Sequence, residues 1–172
     1  MSEQIRRILT FRPADQAALR QADPNEVAAT FDELLTENEK ETYVDGDGLI
    51  SLGRKLRLAE HGGLEKRVES WLKAQPTPKR IEVATSFLTG YWRTKHPISE
   101  SLTNLVIDRL AMCEAESTLL AAAIFALCQV PFTGASDELK AHVKQILSAY
   151  IAKADALHLE PGLVAQMTDA VK

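Results

Sequence analysis

The stretch VAATFDELL, residues 27–35, places apolar side chains at Val27, Phe31 and Leu35, each four positions after the last. Residues four apart lie on one face of an α-helix, so this spacing predicts a helix with a single apolar face. The same spacing recurs in three later segments, and the four triplets begin 37, 38 and 37 residues apart. The later triplets are Leu64-Val68-Leu72, Leu102-Val106-Leu110 and Leu139-Val143-Leu147.

A second helix fits between each pair of triplets, and it shows a weaker repeat in which Leu49, Phe87 and Phe125 are 38 residues apart. A helical pair of this size cannot bury its apolar face alone but can do so by stacking on the next pair. No segment shows the sustained two-residue alternation of a strand. We therefore predict an all-α fold, a right-handed stack of about four antiparallel helical hairpins over residues 24–160. An irregular helical bundle of evenly sized hairpins is the alternative.

This arrangement resembles the HEAT-like α-helical repeat proteins, although its period is slightly shorter than the roughly 40 residues of HEAT repeats. The tetratricopeptide repeat is a poorer match because its period is about 34 residues and its Trp-Leu-Gly-Tyr signature is missing here. The resemblance implies a stacked helical architecture only. It carries no catalytic residues and transfers no binding site.

The chain of 172 residues suits a single domain spanning residues 1–172. Asp23-Pro24 is a typical helix start, because aspartate caps the helix and proline suits its first position. Residues 1–22, which precede this start, are interpreted as a loosely attached N-terminal segment. The segment from Leu119 to Cys128 is apolar on nearly all sides, which predicts a central buried helix.

Composition excludes several classes of protein. The chain is 45% hydrophobic and 26% charged, which is ordinary for a soluble globular domain. No apolar run approaches the ~20 residues of a membrane span, and the N-terminus lacks the apolar core of a secretory signal. The cysteines Cys113 and Cys128 are too few for a disulfide framework and are interpreted as small buried side chains. We therefore expect a cytoplasmic protein without a cofactor.

Charge is unevenly distributed along the chain. Residues 1–45 carry ten acidic and five basic side chains, whereas residues 46–96 carry five acidic and ten basic ones. Residues 97–172 are again acidic, with nine acids against five bases, which brings the net charge to −4. A basic middle between acidic ends favours steering of an acidic partner, although such charges also occur on ordinary solvated helix faces.

The string Asp45-Gly46-Asp47-Gly48 looks like the middle of an EF-hand calcium loop. In that register the first loop position is Tyr43 and the twelfth is Arg54, so the loop lacks its opening carboxylate and its bidentate glutamate. A metal site at Asp45 and Asp47 is therefore the weak alternative. The favoured interpretation is a tight turn between helices in which Asp47 begins to cap the second helix.

A basic and aromatic surface is the stronger candidate site. Aromatic rings beside cations are enriched where protein partners dock. Adjacent residues on a helix point about 100° apart, so one of the two neighbouring aromatic side chains, Tyr91 and Trp92, is expected at a rim. Ordinary packing of both is the alternative. The candidate partner-binding residues are Arg54, Lys55, Arg57, Tyr91, Trp92, Arg93, Lys95 and His96.

The sequence contains no recognisable catalytic motif, and His61, His96, His142 and His158 lack metal-ligand spacing. The favoured function is a non-enzymatic, regulatory protein-interaction module that binds an acidic partner protein. A nucleic-acid-binding helical repeat is less favoured, because the whole chain is acidic and no reading motif occurs. A small-ligand protein or enzyme with a pocket between helices is the third possibility.

Overall fold

The computed structural model describes residues 3–10, 16–93 and 96–172 of the chain. Within these ranges the protein contains ten α-helices, one short 3-10 helix and no strand, which confirms the all-α class. The helices are α1 (Glu3–Thr10), α2 (Gln16–Gln21), α3 (Pro24–Lys40), α4 (Gly46–Leu58), α5 (Leu64–Ala74), α6 (Pro78–Tyr91), α7 (Glu100–Cys113), α8 (Ser117–Leu127), the 3-10 helix (Val130–Phe132), α9 (Asp137–Ala152) and α10 (Pro161–Val171).

Short polar side chains begin five of these helices, among them Asp45 at α4. Asp23 accepts a hydrogen bond from the Asn25 amide at 2.7 Å, and Ser136 accepts one from the Leu139 amide at 3.2 Å. The hydroxyl oxygens of Thr77 and Ser99 cap α6 and α7 in the same way. Each cap satisfies an amide that the helix cannot pair internally, so the chain fixes where these helices start.

The four apolar triplets form the buried faces of the first helix in each repeat, which are α3, α5, α7 and α9. All twelve side chains are at most 5% exposed. The faces predicted from the four-residue spacing are therefore correct at every position.

The helices are arranged in two layers. Helices α4, α6 and α8 lie side by side in one layer, while α3, α5 and α7 pack beneath them. Consecutive helices pack together as hairpins, with α5 on α6, α7 on α8 and α9 on α10. The ion pair between Asp32 of α3 and Arg67 of α5 links neighbouring hairpins. This layering is compatible with a helical repeat architecture.

Two glycines bring α4 and α6 into backbone contact. A Cβ atom on Gly90 would lie 1.9 Å from the Ile50 carbonyl oxygen, and one on Gly53 would lie 2.2 Å from the Phe87 carbonyl oxygen. Any larger side chain would force the helices apart. Because Gly46 also approaches Ser86, the contact runs in register along both helices and shows that they are parallel.

Helix α6 is the central helix of the fold, in place of the segment from Leu119 to Cys128. Every residue from Val83 to Tyr91 is buried, because α4 and α8 flank α6 and the other layer covers its base. The segment from Leu119 to Cys128 has no exposed residue, but it is less enclosed than α6, since Ala121, Ala122 and Phe125 are only partly buried.

The two N-terminal helices pack against the first hairpin. Ile5, Leu9 and Leu19 are buried at 6% exposure or less. The Lys55 ammonium donates a hydrogen bond to the Leu9 carbonyl at 3.1 Å, and His61 Nε2 bonds the Leu19 carbonyl at 2.8 Å. Two short helices thus lie where the sequence suggested a loosely attached segment.

Candidate partner-binding surface

Because α4 and α6 are parallel, their C-terminal ends lie at the same end of the molecule. The loop that follows α6 is held there from two sides. Arg57 Nη2 of α4 donates a hydrogen bond to the Pro97 carbonyl at 2.8 Å, and the Gly134 amide donates one to the His96 carbonyl at 3.0 Å. The end of α4, the α6–α7 loop and the segment after α8 therefore form one continuous surface.

Four of the predicted residues lie on this surface, and we call them the basic end: Arg54, Arg57, Arg93 and His96. Arg54, Arg93 and His96 are exposed. Arg57 is half-buried, with its guanidinium 4.8 Å from the centre of the Tyr91 ring. The basic end therefore combines a fixed guanidinium with exposed side chains that a partner can reach.

Lys55 and Lys95 do not belong to this surface as it is described. Lys55 is only 7% exposed and directs its ammonium towards α1, so the expectation that it faces a partner is wrong. Because adjacent side chains on a helix point about 100° apart, Lys55 faces α1 while the neighbouring Arg54 is exposed. Lys95 lies outside the described residues.

The expectation that Tyr91 or Trp92 lies at a rim is also wrong, because their exposed fractions are 1% and 0%. Trp92 Nε1 donates a hydrogen bond to Glu65 Oε1 at 2.7 Å, and the same oxygen accepts one from the Ser99 amide at 2.8 Å. Consecutive aromatic side chains do diverge on a helix, but the end of α6 is enclosed by protein in both directions. Both rings are core residues.

Tyr91 connects this core to the basic end. Its hydroxyl donates a hydrogen bond to the His61 carbonyl at 2.9 Å. Burial raises the pKa of Tyr91, and the neighbouring Arg57 cation partly opposes the shift. The Arg57 guanidinium thus packs on a neutral phenol ring, and this contact restricts its conformational freedom compared with a surface arginine.

An exposed aromatic residue that the sequence analysis did not single out lies beside the basic end. Phe132 is 61% exposed and belongs to the 3-10 helix after α8. The string from Pro131 to Gly134 predicted only a helix break. An aromatic residue in such a short turn has no periodicity, so no sequence signal could have distinguished exposure from burial.

The Asp45 carboxylate acts as a helix cap. It accepts a hydrogen bond from the Gly48 amide at 2.9 Å, and Gly46, Asp47 and Gly48 form the first turn of α4. The cap is thus Asp45, where the sequence suggested Asp47. The residues that would form the middle of a calcium loop are helical, and the described ranges contain no group of three or more metal-ligating side chains.

Both cysteines are buried, as the sequence predicted. Burial raises the pKa of Cys113 to about 11 and that of Cys128 to about 12. A thiol with so high a pKa carries almost no thiolate at neutral pH, so neither cysteine has the character of a nucleophile.

A concave site separate from the basic end lies between α8 and α10. This cavity of about 420 Å³ has an apolar wall formed by Ala121, Phe125 and Leu163. Polar groups at its mouth include Thr118 and His158. Its volume lies within the range of small-molecule sites in proteins.

Comparison of the chain with protein-family models, curated proteins and solved structures finds no match to any of them. None of the helices in the described ranges has both the length and the apolar character needed to cross a bilayer.

Proposed function

We propose that this protein is a non-enzymatic interaction module that regulates or scaffolds an acidic partner protein bound at the basic end. The observation that supports this function is the group of exposed basic residues Arg54, Arg93 and His96 at the end of the molecule where the parallel helices α4 and α6 both end. Such a cluster needs no catalytic group to act. It fits a protein whose role is recognition.

Charge complementarity favours an acidic partner. Residues 46–96 carry a balance of +5, while the chain as a whole carries −4. A partner that is acidic where it binds is attracted to the basic end and repelled by the acidic remainder of the chain, which gives orientation as well as attraction. The 37–38-residue period also leads us to propose a HEAT-like stack, in which the parallel second helices α4 and α6 both end at one binding face.

Affinity capture from a native cell extract tests this function. The baits are the original chain and a basic-end variant that carries Arg54→Glu together with Arg93→Glu. Because both side chains are exposed, the melting temperature of the variant should stay within a few degrees of the original. The matched control carries Lys40→Glu with Lys172→Glu, which makes the same change in net charge at exposed positions elsewhere.

The expected result is a stoichiometric protein that the original chain and the control retain and the basic-end variant loses. Retention by both variants would show that the basic end is not the binding face. Capture of nucleic acid in place of protein, with a steep dependence on salt, would favour the nucleic-acid-binding alternative.

Small-ligand binding is a second candidate function, and the cavity between α8 and α10 favours it. A ligand that enters this cavity should raise the melting temperature, because it binds only the folded chain. Widening of the apolar wall by Phe125→Ala should weaken that shift, whereas the basic-end variant should leave it unchanged.

A further inference from the structure

The cavity between α8 and α10 lies at the edge of the layer formed by α4, α6 and α8. Helix α8 packs closely along α6, whereas α10 contacts α8 less extensively. Phe87 of α6 and Phe125 of α8 are 38 residues apart in the repeat, yet Phe87 is fully buried and Phe125 is partly exposed. Leu163, another 38 residues along the chain, lines the same cavity. The cavity therefore takes up space that tight helix contacts fill elsewhere in the layer.

The turn from α9 to α10 forms one side of the cavity, and its backbone is fixed. The Leu159 amide donates a hydrogen bond to the Ala154 carbonyl at 3.0 Å. The Glu160 carbonyl accepts hydrogen bonds from the Leu163 and Val164 amides at 2.9 and 3.1 Å, which join the turn to the start of α10. The cavity is therefore formed before a ligand arrives, which lowers the ordering cost of binding.

The polar part of the cavity is rich in hydrogen-bond acceptors. The exposed Glu160 lines it, together with Ser117, Thr118 and Gln166, whose side chains carry acceptor oxygens. Among the described residues that line the cavity, none is lysine or arginine. A protonated amine, which has only donors to offer, suits such a lining.

Two helix N-termini also lie at this cavity, and their partial positive charges oppose the carboxylates. Helix α8 begins at Ser117 and α10 at Pro161. Each N-terminus carries about half an elementary charge, whereas Glu116 and Glu160, which precede the two helices, each carry a full negative charge. Neither carboxylate accepts a hydrogen bond from its own helix. The balance is therefore negative and favours a cation.

The lysine of the α9–α10 turn is engaged outside the cavity. The Lys153 ammonium lies 3.7 Å from Glu114 Oε1 and 5.4 Å from the centre of the Tyr150 ring. Neither Glu114 nor Tyr150 lines the cavity. The charge of Lys153 is thus matched by a carboxylate elsewhere.

The Phe125 ring adds a second feature that suits a cation. The face of an aromatic ring attracts an ammonium group, and the ring also packs well against a flat apolar body. Ala121 and Leu163 complete the apolar wall. A ligand that satisfies the whole lining therefore has an apolar body and a single cationic group.

We infer that this cavity binds a lipophilic amine, with its protonated nitrogen beside Glu160 and its apolar body against Phe125 and Leu163. The inference rests on the second candidate function, small-ligand binding, and specifies the chemical class of the ligand.

The test is a titration of the isotope-labelled full chain, followed by amide NMR shifts, with three probes that share one apolar body. The probes are naphthylmethylamine, naphthylmethanol and naphthoate at about pH 8, where a primary alkylamine is mostly protonated. The amine should shift the amides of Thr118, Phe125, Gly162 and Leu163. It should bind about tenfold more tightly than the alcohol, since an exposed ion pair and a cation–π contact each contribute a modest part. The naphthoate should bind most weakly.

Three variants separate the contributions of charge and ring. Glu160→Gln keeps the size of the side chain and should weaken the amine about threefold without changing the affinity for the alcohol. Phe125→Leu keeps an apolar wall without the ring, so it should weaken the amine more than the alcohol. Glu41→Gln is the matched control, because Glu41 is exposed in the first hairpin and should leave all three affinities unchanged.

The outcomes separate the ligand class from the small-ligand function. If the three probes bind equally at the cavity, or the naphthoate binds best, the ligand class is wrong and the small-ligand function stands. Equal effects of Glu160→Gln and Glu41→Gln would also contradict the ligand class. If no probe shifts an amide that lines the cavity, both are wrong. The variant Arg54→Glu with Arg93→Glu should bind the amine as the original chain does, so the result is independent of the function proposed for the basic end.

Discussion

The burial of helices α6 and α8 is the reverse of what the hydrophobicity of their sequences suggests. Helix α8, STLLAAAIFAL, is apolar almost throughout, yet one side of it is partly exposed. Helix α6, PKRIEVATSFLTGY, contains several polar and small residues, yet it is enclosed from Val83 onwards. Burial in this fold is therefore decided by how many helices surround an element, and hydrophobicity alone does not rank the two.

Polar side chains are tolerated in the buried helix α6 because their hydroxyl groups donate hydrogen bonds to carbonyl oxygens of the same helix. Thr85 Oγ1 donates to the Ile81 carbonyl at 2.7 Å, and Thr89 Oγ1 donates to the Thr85 carbonyl at 2.9 Å. A satisfied hydroxyl avoids most of the penalty for burial of a polar group. Small polar residues then permit the close approach of α4 that a leucine-rich helix would prevent.

The largest expected effect comes from blocking that approach. Gly90→Val places a branched side chain where even a Cβ atom would lie 1.9 Å from the Ile50 carbonyl oxygen. We expect destabilisation by more than about 4 kcal/mol, which is a large part of the stability of a typical domain. Circular dichroism and thermal unfolding would measure it.

Gly162→Ala in α10 is the control, because a Cβ atom there meets nothing within 4 Å. It should change stability by no more than about 1 kcal/mol, and in the stabilising direction. A folded Gly90→Val variant with an unchanged melting temperature would contradict the contact between α4 and α6.

Equivalent phenylalanines in the two helices give a direct comparison. Phe87 of α6 is fully buried, with its ring 4.7 Å from that of Phe31, whereas Phe125 of α8 is partly exposed. We expect Phe87→Ala to lower the free energy of unfolding by about 3–5 kcal/mol and Phe125→Ala by about 1–2 kcal/mol. Urea unfolding of both variants would measure the difference. Equal losses would mean that α8 is as enclosed as α6.

The smallest effect concerns the buried thiols at the ends of α7 and α8. An unfolded cysteine has a pKa of about 8.5, whereas burial raises that of Cys113 to about 11 and that of Cys128 to about 12. The folded chain holds these protons more tightly, so stability is unaffected below about pH 8.5 and falls as the pH rises from there towards the folded values.

We expect the variant Cys113→Ala with Cys128→Ala to lose less stability than the original chain between about pH 7 and about pH 9, by an amount on the order of 2 kcal/mol for the two thiols together. Urea midpoints at the two pH values would measure it. Burial also raises the pKa of Tyr91, but both chains retain this residue. An identical decline in both chains would show that the thiols do not contribute.

The basic end shows where sequence reasoning about the site succeeded and where it did not. Arg54, Arg93 and His96 are exposed, as a partner-binding role requires, and their role in binding stays a prediction. The two aromatic residues were misplaced, because the position of a ring depends on the helices that enclose it. Phe132 was missed for the opposite reason, since its short turn is held out by contacts distant in sequence.

The sequence by itself determined the helical class, the helix starts at Asp23 and Ser136, and the buried faces of α3, α5, α7 and α9. These features follow from local periodicity and capping, which act within a few residues of the chain. Tertiary structure alone decided that α6 is the central helix, that Trp92 is buried and that Phe132 is exposed. Those outcomes depend on contacts such as that of Gly90 with Ile50, which join residues far apart in the chain and leave no local pattern.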